Sequence, residues 1–188
     1  VEKAAEILRA GGLVAMPTET VYGLAANGLN PEAVARIFTA KGRPAFDPLI
    51  LHFPSSQAVS TCVSTWPPQA QLLAGTFWPG PLTLVVPKAA HVPDIATSGL
   101  DTVGVRVPNH PLALQLLQSV DFPLAAPSAN PFGYVSPTTA QHVAAQLGQK
   151  VDYILDGGPC QVGLESTIVG FPNGKATVLR MGGIGLEA

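Results

Sequence analysis

Short aliphatic and β-branched runs recur along the chain, each closed by proline, glycine or asparagine. They predict strands at residues 13–16, 49–53, 82–86, 103–107, 124–126, 153–155, 167–169 and 177–180. Between them the apolar spacing widens to three and four, which predicts helices at residues 2–10, 31–40, 67–74, 110–119 and 138–147. Gly11-Gly12 stops the first helix, and Asn30-Pro31-Glu32 offers the second a cap, a proline at its first position and an early acid. Asn109 and Ser136, with Pro111 and Pro137 just inside, are the cap candidates of the last two helices. Strands and helices alternate, so the expected class is α/β with seven or eight strands. In Val103-Gly104-Val105-Arg106-Val107 strict alternation puts the valines on one face and Gly104 with Arg106 on the other. His52 likewise lies opposite the face of Leu49, Leu51 and Phe53.

With 188 residues, 47% hydrophobic and 12% charged, the chain can bury a core and carries about half the usual charged share of roughly 25%. The nineteen prolines and nineteen glycines are spread as turn punctuation, so one domain over residues 1–188 is expected, without repeat or linker. A net charge of −2 weighs against a broad basic surface and leaves room only for weak RNA or tRNA contact in a local groove. No apolar run approaches the roughly 20 residues of a membrane span, and the first ten residues mix Glu, Lys and Arg in a helical pattern. The expected location is therefore the cytoplasm, with no membrane partner. Cys62 and Cys160 lack companions at zinc spacing and read as reduced, packed thiols.

Ten lysines and arginines are few, and those beside apolar strand ends need anionic partners. Arg106, next to Gly104, meets either a ligand over the glycine or a protein carboxylate; Arg180, ending the run 177–180, has the same two readings. Lys41-Gly42-Arg43-Pro44 puts an ammonium and a guanidinium on a predicted loop just past a helix end, a grouping suited to polyphosphate oxygens. Lys41 could equally answer the helix macrodipole. Ser128 and Asn130, at a strand exit, can hold phosphate or ribose oxygens, and Ser136 is a helix cap, an anion contact or both. His52 either meets a ligand or is a satisfied core histidine. No P-loop or dinucleotide fingerprint occurs, and neither a Ser-His-Asp nor a Cys-His arrangement nor a carboxylate cage can be read. What remains suits positioning and charge neutralisation in nucleotidyl transfer. The competing class is a non-catalytic RNA-binding module with a basic groove.

Taken in order, Pro17-Thr18-Glu19-Thr20-Val21-Tyr22-Gly23-Leu24, Lys41-Gly42-Arg43-Pro44, Trp78-Pro79-Gly80-Pro81-Leu82-Thr83, Ser128-Ala129-Asn130 and Glu165-Ser166-Thr167-Ile168-Val169 resemble the YrdC-type L-threonylcarbamoyladenylate synthases. The resemblance runs from about Ala4 to Gly182 and implies a twisted open mixed α/β sheet with flanking helices and a large concave groove. It implies conversion of L-threonine, bicarbonate and ATP to L-threonylcarbamoyladenylate and pyrophosphate. The product is the donor for threonylcarbamoylation of the adenosine beside the anticodon, passed on to tRNA threonylcarbamoyl-transfer proteins. By the same resemblance Thr18, His52, Arg106 and Ser166 surround threonine, while Lys41, Arg43, Ser128, Asn130, Ser136 and Arg180 hold ATP with its Mg2+. No residue acts as a covalent nucleophile. The stretch 131–135 is more apolar than in many relatives, and the chain looks like the single-domain form. A carbamoyl-transfer module like that of hydrogenase maturation proteins is a further rival, but those modules sit in much larger chains.

Overall fold

Side-chain caps start two of the helices. Asn30 Oδ1 accepts from the backbone N–H groups of Glu32 and Ala33 at 3.0 and 3.3 Å, opening α2 (Pro31–Lys41), and Gly42 closes it in the left-handed region at φ 63°. Thr139 accepts from His142 N at 3.1 Å and opens α7 (Ala140–Leu147). The computed structural model describes residues 1–188. Its other helices are α1 (Glu2–Arg9), α3 (Ser56–Val59), α4 (Pro68–Phe77), α5 (Asp94–Thr97) and α6 (Pro111–Gln118). The strands are β1 (Val14–Met16), β2 (Gly23–Asn27), β3 (Ile50–His52), β4 (Leu82–Pro87), β5 (Thr102–Arg106), β6 (Leu124–Ala125), β7 (Tyr153–Ile154), β8 (Thr167–Gly170) and β9 (Thr177–Arg180).

All nine strands join one open mixed sheet in the order β7-β1-β2-β6-β3-β5-β4-β8-β9. The pairs β1/β7, β3/β5 and β4/β8 are parallel and the rest antiparallel. The α/β class expected from the alternation is what the chain forms. Strand β2 was not expected: Gly-Leu-Ala-Ala-Asn has little β propensity, and it is a strand because β1 and β6 pair with it on both sides. Two helix starts also differ from expectation. His110, not Asn109, caps α6, its ring Nδ1 accepting from Leu112 N at 3.2 Å, and Thr139 replaces Ser136 as the cap of α7. No helix is long and apolar enough to cross a membrane.

The sheet separates two apolar clusters. Leu13, Ala15, Leu24, Leu51, Leu84 and Val105 face the larger one with α2 and α7, whereas Val14, Met16, Ala25 and Leu124 face α1 and α6. Leu124 pairs with His52, and His52 with Arg106, so these residues share the α1/α6 face of the sheet. The α1/α6 cluster covers that face only around β1, β2 and β6. Over β3, β5, β4 and β8 it is left open, and the open half is a cleft.

Candidate active site

The period of two that builds the core also builds the cleft floor. Ile50 and His52 of β3, Gly104 and Arg106 of β5, Thr83 and Val85 of β4 and Ile168 of β8 all line it, while the alternate residues Leu51, Val105, Leu84 and Val169 pack into the larger core. Gly104 keeps the floor low. A Cβ there would lie 3.3 Å from both Ile50 Cγ1 and Thr83 Cγ2.

Three arginines reach this cleft from three directions. Arg106 is buried and donates through Nε to Gly80 O at 3.2 Å, through NH1 to Thr20 Oγ1 at 3.0 Å and through NH2 to Glu19 Oε1. Arg43 leaves the end of α2 and is held by Asp47 O at 3.0 Å, Pro48 O at 2.8 Å and the Asp47 carboxylate at 3.2 Å. Arg180 ends β9, donates through Nε and NH2 to Ser166 O at 3.1 and 2.9 Å, and pairs with Glu165 Oε2 at 2.9 Å. Glu165 Oε1 accepts from Ser136 Oγ at 3.1 Å, which ties the 131–136 segment to the same cluster. Burial lowers the pKa values of Arg43 and Arg106, and the neighbouring carboxylates Asp47 and Glu19 oppose that fall. Each guanidinium is thus anchored by protein oxygens at the rim or floor of one concave site.

Lys41 differs from the sequence expectation of a mobile ammonium on a loop. It is the last residue of α2, only 4% exposed, and its Nζ donates to the carbonyls of both Ser128 and Asn130. Its own carbonyl accepts from Phe132 N at 2.8 Å, so the helix end and the Ser-Ala-Asn loop are locked together. Burial, with the nearby charge of Arg43, lowers its pKa to about 8.

The cleft brings together Arg43, His52, Arg106, Ser128, Ser166 and Arg180. Ser136 lines an adjoining pocket that shares Glu165 and Arg180 with it. Thr18, Lys41 and Asn130 are buried and line neither pocket. Thr18 Oγ1 donates to Val21 O at 2.6 Å and accepts from Thr20 N and Val21 N, shaping the turn that presents Thr20 to the cleft. Asn130 Nδ2 donates to Pro131 O and Tyr134 O at 2.8 and 2.9 Å, fastening the next loop, and leaves its buried Oδ1 without a partner. Thr20, Thr83, Glu165 and Glu19 were missed as site residues. Alternation in Leu82-Thr83-Leu84 carried the signal for Thr83, whose Oγ1 lies 2.8 Å from Ser166 Oγ; nothing local marked Glu19 as the partner of Arg106, 87 residues away.

His52 is buried, with Nδ1 3.2 Å from Ile50 O, and desolvation together with the charge of Arg106 lowers its pKa to about 3. It therefore stands in the cleft as a neutral imidazole. Between about pH 6.5 and 3 the unfolded chain binds a proton at His52 that the folded chain does not, so stability is lost as pH falls through that window. The slope contributed is about 1.4 kcal/mol per pH unit. Urea unfolding at several pH values from 4 to 7 is expected to show this slope in the wild type and to lose it in His52→Gln; equal slopes would mean that His52 charges freely in the folded state.

The family model of the Sua5, YciO and YrdC proteins, which carries the description "Telomere recombination", matches residues 6–182. A threonylcarbamoyl-AMP synthase of Pyrococcus abyssi is 51% identical over 184 residues, 98% of this chain and 54% of that protein. One of Bacillus subtilis is 45% identical over 188 residues, 100% of this chain and 54% of that protein. The crystal structure of P. abyssi Sua5 complexed with L-threonine superposes with a TM-score of 0.96 at 51% identity, covering 98% of this chain and 54% of that one. This chain spans about half the length of these two relatives and of a third, from Schizosaccharomyces pombe. With the match reaching over nearly all its residues, and the motif segments gathered around one cleft, the chain belongs to the Sua5/YciO/YrdC family.

Proposed function

We propose that this chain forms L-threonylcarbamoyl-AMP and pyrophosphate from L-threonine, bicarbonate and ATP, as a nucleotidyltransferase that supplies threonylcarbamoyl groups for tRNA modification. The observation that carries this reading is the convergence of Arg43, Arg106 and Arg180 on one cleft, in a chain 51% identical to a threonylcarbamoyl-AMP synthase. Arg106 is the anchor for the threonine carboxylate. Of its five N–H donors the protein takes three, one each on Nε, NH1 and NH2, which leaves one on each terminal nitrogen for a carboxylate. His52 borders the amino acid without adding charge, and the Thr83–Ser166 hydroxyl pair offers it polar contacts.

ATP lies along Arg43, Ser128, Ser136 and Arg180, with Lys41 and Asn130 setting the loop that presents Ser128. In the reaction the threonine amine takes up the carbon of bicarbonate to give N-carboxy-threonine and water. The new carboxylate attacks the α-phosphorus and pyrophosphate leaves. No protein nucleophile is required: the arginines neutralise charge on the departing phosphates. Magnesium enters with ATP as part of the substrate, and Asp47 and Glu165, the cleft carboxylates, already hold arginines at 3.2 and 2.9 Å. The expected result is pyrophosphate release that requires L-threonine and bicarbonate together. Release of orthophosphate with ADP instead, or turnover indifferent to threonine, would overturn the reading.

A further inference from the structure

The carboxylate in Pro17-Thr18-Glu19-Thr20 has no part in the reaction above, yet it is buried as deeply as the residues that do. Glu19 is 6% exposed and Arg106 4%. Both oxygens of Glu19 are engaged: Oε1 accepts from Arg106 NH2 and Oε2 from the backbone N–H of Asn109, just beyond β5. Its backbone is held too, because Glu19 O accepts from Val162 N at 2.8 Å and Thr20 O from Gly163 N at 3.0 Å. Glu19 thus joins three segments of the cleft wall: its own loop, the exit of β5 and the 162–163 turn.

We infer that Glu19 is a positioning residue for amino-acid recognition, a buried counter-ion that holds Arg106 with one donor on each terminal nitrogen directed to the ligand carboxylate. Two properties of the geometry make this more than a structural ion pair. Glu19 and Thr20 each take one donor from Arg106, on different terminal nitrogens, so the fork is fixed but not filled. A guanidinium held in this way meets a carboxylate without first losing side-chain freedom, which is how preorganisation raises affinity. Glu19 also offsets the cost of burying the Arg106 charge at the cleft floor.

This inference rests on the reading of Arg106 as the carboxylate anchor, and the test separates the two. Calorimetric titrations compare L-threonine with L-threoninol, in which a neutral hydroxymethyl group replaces the carboxylate, in wild type, Glu19→Gln and Glu19→Asp. Wild type is expected to prefer threonine by at least ten-fold. No preference in wild type would sink the anchor reading itself.

In Glu19→Gln, which keeps an acceptor but loses the charge, threonine affinity is expected to fall about ten-fold while threoninol affinity changes less than two-fold, so that discrimination collapses. Glu19→Asp, which restores the charge one methylene short, is expected to recover part of it. ATP binding without threonine should stay within two-fold of wild type in both variants, which also verifies that they fold. Equal weakening of both amino-acid ligands in a folded variant would make Glu19 a merely structural residue. Tighter threonine binding by Glu19→Gln would show that Glu19 competes with the ligand for Arg106. Either outcome overturns the inference.

Discussion

Replacing Arg106 with lysine is expected to weaken L-threonine binding by about ten- to a hundred-fold, the effect of losing a charge-assisted contact worth roughly 1.5 to 3 kcal/mol. A single ammonium keeps the charge beside Glu19 but cannot at once reach Gly80 O, Thr20 Oγ1, Glu19 and a ligand carboxylate, as the planar guanidinium is placed to do. ATP affinity measured without threonine should change little, because Arg43 and Arg180 hold their places through Asp47, Pro48, Glu165 and Ser166 and not through Arg106. Arg106→Ala should behave differently and lose about 3 to 5 kcal/mol of stability, since it strands the buried Glu19 carboxylate. Titration of each ligand, alongside denaturant unfolding, checks both variants. An equal loss for threonine and ATP in Arg106→Lys would mean that Arg106 supports the whole cleft and does not grip the amino acid.

Lys41→Ala should abolish most turnover and also destabilise the fold, the second effect following from burial that the sequence did not reveal. It removes the donor to two carbonyls, Ser128 O and Asn130 O, each costing about 1 to 3 kcal/mol when left buried without a partner. The loop that presents Ser128 then loses its attachment to α2. A fall in ATP-dependent turnover of at least a hundred-fold is expected, larger than for Arg43→Ala, whose half-buried side chain bonds only its own segment.

The pH dependence of Lys41 gives a sharper signature. With its pKa lowered to about 8, the folded chain releases this proton earlier than the unfolded chain, which holds it to about 10.5. Between those values unfolding takes up a proton, so the Lys41 contribution to stability rises with pH while turnover falls as the ammonium is lost. Turnover and unfolding profiles from pH 7 to 10 measure both limbs, and Lys41→Met should flatten them. Turnover unchanged through pH 9 in the wild type would show that the charge on Lys41 is not needed.

The alternation around Val103-Gly104-Val105-Arg106 was enough to place Gly104 and Arg106 together on the face away from the core, because strand periodicity is a local property of the chain. The cap at Asn30 was legible in the same way, from Asn30-Pro31-Glu32. The same local rules failed at Gly23–Asn27, where pairing with β1 and β6 overrode weak propensity. They also failed at Ser136, whose hydroxyl reaches Glu165 and leaves the capping of α7 to Thr139. Which of two readings applied to an arginine was beyond them altogether. Arg106 has a protein carboxylate and still faces the cleft, so the two alternatives hold together.

From the sequence alone came the α/β class, the punctuation of most elements and a set of motifs specific enough to point to the family, all of which depend on residue type and on spacing within about ten positions. Tertiary structure decided which motif residues face the cleft and which stand behind it. Thr18, Lys41 and Asn130 turn inward to hold loops, whereas Thr20, Thr83 and Glu165 turn toward the site. The physical reason is that a polar side chain is directed by the partner that satisfies it. Here those partners, Ser128 O for Lys41, Glu19 for Arg106 and Ser136 for Glu165, lie 87, 87 and 29 residues away along the chain.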